Sequence, residues 1–338
     1  MRFDMRCALT ALLVVLLAGC ASKHEASPSP TAAVLVSSPV NLRPSVSNTA
    51  TLSSRPTPAP TQSPELVSLD WLASDVSVPG LDGPVAASVE DRGLQQAAEG
   101  ALAGFGGQAS FVIQNLQDGR SAASNDTQTW YAASTFKAAI LLTAYQKRDA
   151  GELDFDKHLV LEEKYAEDDL GTLDYLHLKA GDLVTVRDAI RGMIVVSDTP
   201  LAVMLQDEIG GNDVDATLRS IGATTMTVNS HDLPTTALDL AHLMVAIVAG
   251  QGVSGASRDE MLSLMAQEWY TDGVVAGLPA GTRYAHKSGS YGPNIHDAAI
   301  VWGPAGPYVI VVMTDGSAGW DPIAAVSSAV YQYFAANP

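Results

Sequence analysis

The 338-residue chain carries 37 acidic against 19 basic residues, a formal net charge of -18, and is 47% hydrophobic. That apolar content suffices for a sizeable core, while the acidity, with no Lys/Arg cluster to offset it, argues against a nucleic-acid partner and reads as a solvated surface. Both cysteines, Cys7 and Cys20, fall within the first twenty residues, so disulfides, cysteine-based metal sites and a cysteine nucleophile are excluded from the rest.

Arg2 and Arg6 precede an apolar run from Ala8 to Ala18, too short for the ~20 residues that span a bilayer. Leu17-Ala18-Gly19-Cys20 closes it. The segment resembles a bacterial lipoprotein signal (residues 1–20), with Cys20 as the lipidated residue, which implies a lipid anchor on the extracytoplasmic face. An ordinary signal peptide is the competing reading, and both send the chain out of the cytoplasm. Residues 21–84 follow as a Ser/Thr/Pro/Ala tether, as in Pro56-Thr57-Pro58-Ala59-Pro60; such composition cannot offset chain entropy by burial. Leu66, Leu69, Trp71 and Leu72 near its end are apolar enough to dock, without a place the sequence can assign.

From residue 85 to 338 the pattern is that of one folded domain. A helix is predicted over 90–103, then a hairpin through Phe111–Leu116 and Asp118-Gly119. A long helix runs from about Ser134 to Ala150, followed by helices over 183–195, 200–209, 236–249 and 257–267. Residues 284–290, 296–302 and 308–314 are β-rich runs, and a last helix covers 322–335. Strands at both ends with helices between predict an α+β fold: an antiparallel sheet built from the two termini, packed on a helical lobe.

Three short segments carry chemistry. Ser134-Thr-Phe-Lys137 opens the long helix, where a three-residue spacing puts hydroxyl and amine on one face and the helix start favours developing negative charge. Lys137 can accept the serine proton if burial lowers its pKa. Ser197-Asp198-Thr199 lies in the break between two apolar helices and, taken alone, reads as the N-cap of the helix beginning at Pro200 rather than as a functional loop. Lys287-Ser288-Gly289, followed by Ser290, sits in a β-rich run and by itself says little.

In this order, the three segments match the motif set of the class A β-lactamases and penicillin-binding proteins. The chain resembles that family across about residues 90–335, including Tyr131-Ala-Ala-Ser134, Leu183-Val-Thr-Val-Arg187 and His296-Asp297-Ala-Ala-Ile-Val-Trp302. The resemblance implies a β-lactamase/transpeptidase-like fold and a monomeric serine hydrolase without cofactor or metal, acylated by a β-lactam or a peptide-like small molecule. It implies that Ser134 attacks, Lys137 activates it, Ser197 relays a proton to the leaving nitrogen, Lys287 provides charge for a substrate carboxylate and Ser288 hydrogen-bonds that group. The N–H groups of Ser134 and Ser290 would form the oxyanion hole, and Gly289 would let the strand approach the substrate.

Two departures stand out. Thr199 occupies a position where the family usually has Asn, which puts substrate preference in question. Between Ile221 and Thr236 only Asn229–Pro234 remains of the loop that carries the family's deacylation glutamate; Asp232 falls near that place and is either a substitute base or a loop brace. Slow hydrolysis of the acyl-enzyme is therefore expected. A D-Ala-D-Ala peptidase, esterase or transacylase, and a non-catalytic envelope-binding lipoprotein, are the alternatives. His231-Asp232 and His296-Asp297 suggest a Ser/His/Asp triad, but no Gly-x-Ser-x-Gly elbow accompanies them and neighbouring strand residues face opposite ways.

Overall fold

The computed structural model describes residues 64–72, 76–81 and 83–338. The signal segment, Cys20 and most of the tether lie outside the described residues. Between α1 (Arg92–Ala101) and α2 (Lys137–Asp149) the chain forms β2 (Ala109–Asn115), β3 (Arg120–Ser124) and β4 (Trp130–Tyr131), after a short β1 (Val89–Glu90). Next come β5 (His158–Val160), α3 (Glu163–Ala166), α4 (Thr172–Leu176), β6 (Leu183–Thr185), α5 (Val186–Val195), α6 (Thr199–Ile209) and α7 (Gly211–Ser220). The remainder is β7 (Pro234–Thr235), α8 (Ala237–Ala249), α9 (Gly255–Met265), β8 (Arg283–Tyr291), β9 (Asn294–Gly303), β10 (Gly306–Thr314) and α10 (Asp321–Ala336).

The main sheet has the order β1-β3-β2-β10-β9-β8, so C-terminal strands join N-terminal ones at its centre. β10 is antiparallel to both neighbours, with Ile310 opposite Ile113 on β2 and Ala299 on β9. The pleat then divides its apolar run between two cores. Tyr308, Ile310 and Val312 pack with Leu94, Val326, Val330 and Phe334 of α1 and α10, whereas Val309, Val311 and Met313 join the helical lobe. A strand covered on both faces reads as a continuous apolar run, which is why 308–314 was recognisable. Each such Val or Ile contributes roughly 1.5–3 kcal/mol through burial.

In the lobe, α2 is buried from Lys137 to Tyr145. Ile140, Leu141, Leu142 and Ala144 are all fully buried, as expected of a helix surrounded by others. Residues 65–72 dock on the same lobe: Val67 N donates to Leu183 O (2.8 Å), Leu183 N donates to Glu65 O (2.7 Å), and Leu69 is fully buried.

The helix expected over 183–195 divides. Leu183–Thr185 pairs with β5, and Thr185 caps α5 by accepting from Asp188 N at 3.0 Å; a β-branched run ending in a capping threonine favours a strand followed by a helix. The first turn of the long helix is a 3-10 turn, Ala133–Phe136, before α2 begins.

Candidate active site

Ser134 lies on that 3-10 turn, three residues before α2 begins. Its predecessor, Ala133, has φ 47°, a left-handed conformation that L-residues enter at a cost. The turn is held by Ala132 N donating to Leu233 O (2.8 Å) and by Thr135 Oγ1 donating to Ala132 O (2.6 Å). Strained backbone held by its surroundings is a common mark of functional sites.

The second segment is strained as well. Ser197 has φ 59°, and Asp198 caps α6, its Oδ1 accepting from Leu201 N at 2.7 Å. Its Oδ2 accepts from Thr172 Oγ1 at 2.5 Å. The capping and functional readings of Ser197-Asp198-Thr199 therefore both hold: the cap fixes the bend that turns Ser197 and Thr199 toward Lys137.

Lys137 is fully buried. Its Nζ lies 3.0 Å from Ser134 Oγ, 3.1 Å from Thr199 Oγ1 and 3.4 Å from Ser197 Oγ, and it donates to Ser197 O at 2.5 Å. Burial, and next the charge of Lys287, bring its pKa down to about 7, against the opposing pull of Asp198 and Glu268. A substantial fraction of the amine is thus unprotonated at neutral pH, as a proton acceptor requires. Burial raises the pKa of Asp198, against its bonds to Thr172 and Leu201.

The third segment lies on β8, across the cleft from Ser134. A Cβ on Gly289 would fall 2.9 Å from Ser134 N and 3.0 Å from Thr135 N, so only glycine permits this approach of strand to turn. Ser134, Ser197, Thr199, Ser288, Gly289 and Ser290 share one cleft of about 190 Å³. Its outer rim is Leu170, Thr172, Tyr270 and Trp320. Three segments far apart in sequence thus meet around one hydroxyl.

Lys287 and Ser288 differ from expectation in what they touch. Lys287 is fully buried; its Nζ pairs with Glu268 Oε1 and donates to Ser288 O at 3.0 Å. Ser288 gives Glu268 both its N–H (2.8 Å) and its hydroxyl (2.7 Å). Glu268, which follows α9 and belongs to no motif, is the residue sequence reasoning missed here. Behind it, His286 Nδ1 is 3.0 Å from Asp297 Oδ1, and His286 Nε2 is 3.7 Å from Glu268 Oε2. Burial lowers the His286 pKa, but the two carboxylates outweigh it and the net displacement is upward.

Asp232 is not brought to Ser134. It is exposed, does not line the cleft, and its N–H donates to Ser230 Oγ at 3.3 Å. The shortened loop is braced instead by Asp215, which accepts from Thr227 Oγ1 (2.6 Å), Val228 N (2.9 Å) and Asn229 Nδ2 (2.8 Å). The triad alternative is not assembled: Asp297 serves His286, and His296 Nε2 bonds Tyr131 O at 3.0 Å. Among the described residues no group of three or more His, Cys, Asp or Glu is placed to hold a metal.

Comparison with known proteins agrees with this geometry. The model of the "Beta-lactamase enzyme family" matches residues 93–334. Beta-lactamase L2 of Stenotrophomonas maltophilia is 26% identical over 254 residues, covering 70% of this chain and 80% of that protein. Among solved structures, PBP-A superposes with a TM-score of 0.69 at 27% identity, over 75% of this chain and 99% of that one. A mutant of PBP-A, described as an acyl-enzyme complex with penicillin G, gives the same TM-score and identity over 75% and 100% of the two chains.

Proposed function

Because the chain belongs to the β-lactamase enzyme family and is a hydrolase of the serine β-lactamase type, we propose that Ser134 is acylated by β-lactams or related amides and esters, and that the acyl-enzyme is hydrolysed slowly. The observation that carries this reading is the buried Lys137 amine 3.0 Å from Ser134 Oγ, with its pKa brought to about 7. The neutral amine takes the Ser134 proton as Oγ bonds to the carbonyl carbon. The carbonyl electrons move onto oxygen, where the Ser134 and Ser290 N–H groups are suited to receive them; such a donor typically contributes about 2.7–4 kcal/mol. As the tetrahedral species collapses, the C–N bond breaks and its nitrogen gains a proton from Ser197 Oγ, which Lys137 resupplies.

Release of the acyl group needs water and a base. No Asp or Glu lines the cleft among the described residues, which leaves Lys137 as the group able to take the water proton. Absence of a dedicated general base costs about 10²–10⁴ in rate. The acyl-enzyme of the PBP-A mutant with penicillin G is a relevant parallel. The same reading keeps the lipoprotein assignment of residues 1–20 and an extracytoplasmic, membrane-anchored monomer as part of the proposal.

Mass spectrometry of the intact protein over time after mixing with penicillin G tests it. A penicilloyl adduct that persists for minutes and is absent from Ser134→Ala supports the reading. Absence of any adduct refutes acylation, and return to the unmodified mass within seconds refutes slow hydrolysis.

A further inference from the structure

Residues 65–72 precede the region shared with the family, 93–334, yet they are built into the helical lobe. Leu66 bridges Leu183 of β6 in parallel, and a 3-10 turn over Asp70–Leu72 follows. Leu69 and Leu72 are buried, Leu69 completely. Asp70 Oδ1 accepts from Arg191 Nη1 of α5 at 2.9 Å.

The side chains of this segment touch the elements that carry one wall of the cleft. A Cβ on Gly192 of α5 would fall 2.5 Å from Leu201 Cδ1, 3.2 Å from Leu69 Cδ1 and 3.4 Å from Leu176 Cδ1, so Leu69 completes a junction of α4, α5 and α6. Gly192 O accepts from Asp198 N at 3.2 Å, inside the bend that bears Ser197. Leu201 follows Thr199 by two residues, and Leu176 ends the helix whose first residue, Thr172, lines the cleft and bonds Asp198. The Trp71 ring centroid lies 5.6 Å from that of Tyr175 on α4, and Tyr175 lies 4.7 Å from Trp269. Trp269 N donates to Val195 O at 3.0 Å. Its neighbours are Glu268, the partner of Lys287, and Tyr270 on the cleft rim. Leu69 and Trp71 do not line the cleft themselves.

A left-handed residue such as Ser197, at φ 59°, persists only while its surroundings over-determine it. A misplacement of about 1 Å in such a site costs about 10²-fold in rate. We propose that residues 65–72 form a strap that sets one wall of the cleft, with Leu69 and Trp71 as positioning residues for acylation. Leu69 steadies the bend at Ser197-Asp198-Thr199 through Gly192, and Trp71 steadies Thr172 and Tyr270 through Tyr175 and Trp269. The strap acts on the acylation of Ser134 proposed above, on which this inference rests, and touches none of the reacting atoms.

Rapid-quench mass spectrometry of full-chain variants tests it, reading the first-order acylation constant at saturating penicillin G. Each protein is assayed at a temperature where circular dichroism shows it folded. Leu69→Ala is expected to lose at least about tenfold; a smaller loss overturns the proposal. Leu69→Met, which conserves volume, should stay within about threefold of wild type, and a larger loss overturns the packing route. Phe334→Leu opens space in the core on the other face of the sheet and should also stay within about threefold; a larger loss would show that acylation tracks stability and overturns the proposal. If Leu69→Ala does not fold, the half-exposed Trp71 decides: Trp71→Ala should lose at least about threefold, and less overturns the proposal. Wild type labelled at a rate that both alanine variants match removes this inference and leaves the acylation reading intact. No labelling of wild type removes both.

Discussion

The Nζ of Lys137 lies 3.0 Å from Ser134 Oγ and donates to the carbonyl of Ser197 at 2.5 Å, so one buried amine joins the nucleophile to the loop across the cleft. With its pKa brought to about 7, the acylation rate is expected to rise with pH through a single ionisation near that value and level off above it. Asp198 raises the Lys137 pKa. Asp198→Asn, which keeps a capping oxygen, should therefore move the rising limb to lower pH. A stopped-flow pH profile of acylation checks both, and a limb near the ordinary lysine value would refute the assignment.

Lys137→Met should reduce acylation by about 10²–10⁴. The folded-state pKa of Lys137 lies below its ordinary value of 10.5, so holding the ammonium in the folded state is unfavourable, in full below pH 7 and fading toward pH 10.5. Removing it with an apolar side chain of similar volume should leave the thermal midpoint unchanged or higher at pH 6, as measured by calorimetry.

Gly289→Ala would place a Cβ 2.9 Å from the Ser134 backbone nitrogen. The turn and strand must then separate, at an expected cost of about 1–3 kcal/mol in stability. Acylation should fall more than tenfold, since the displaced atom is the proposed oxyanion donor. Denaturant unfolding together with acylation kinetics separates the two effects.

His296 is fully buried on β9, and burial drives its pKa down to about 4, with the bond to Tyr131 O only partly opposing. A histidine whose folded pKa is lowered contributes stability in full above the unfolded value of about 6.5, and loses it as pH falls toward 4. His296→Phe should lack this dependence. The stability advantage of wild type over the variant should shrink by about 2 kcal/mol between pH 7.5 and pH 5 in paired unfolding curves.

Asp232→Asn is expected to leave the acyl-enzyme lifetime within about twofold of wild type, because the carboxylate is exposed and lines no part of the cleft. A lifetime prolonged tenfold or more would return Asp232 to the role of deacylation base.

Much of this arrangement was legible before the structure. The apolar runs of β9 and β10 declare themselves because both faces are covered, and the spacing of Ser134 to Lys137 on a helix start puts both groups on one side. Local signals failed where one residue serves two elements. Gly210, at φ 92°, ends α6 and begins α7, so a glycine pair that reads as a stop hides a second helix. Glu268 was illegible for another reason: it is paired with Lys287 across 19 residues by the fold alone, and no periodicity marks it. Asp232 was the reverse case, near the right place in sequence but facing solvent.

The position of β10 between β2 and β9 has a consequence for how the molecule comes into being. Its middle strand is among the last segments made, so a chain emerging in order holds both halves of the sheet open until residue 314 arrives. Pairings of such high sequence separation close slowly, with the loop entropy spent before any contact is gained. Ser134 meets Gly289 only after that closure, so a nascent or C-terminally clipped chain should be chemically inert, with reactivity arriving at the end of synthesis in a single step.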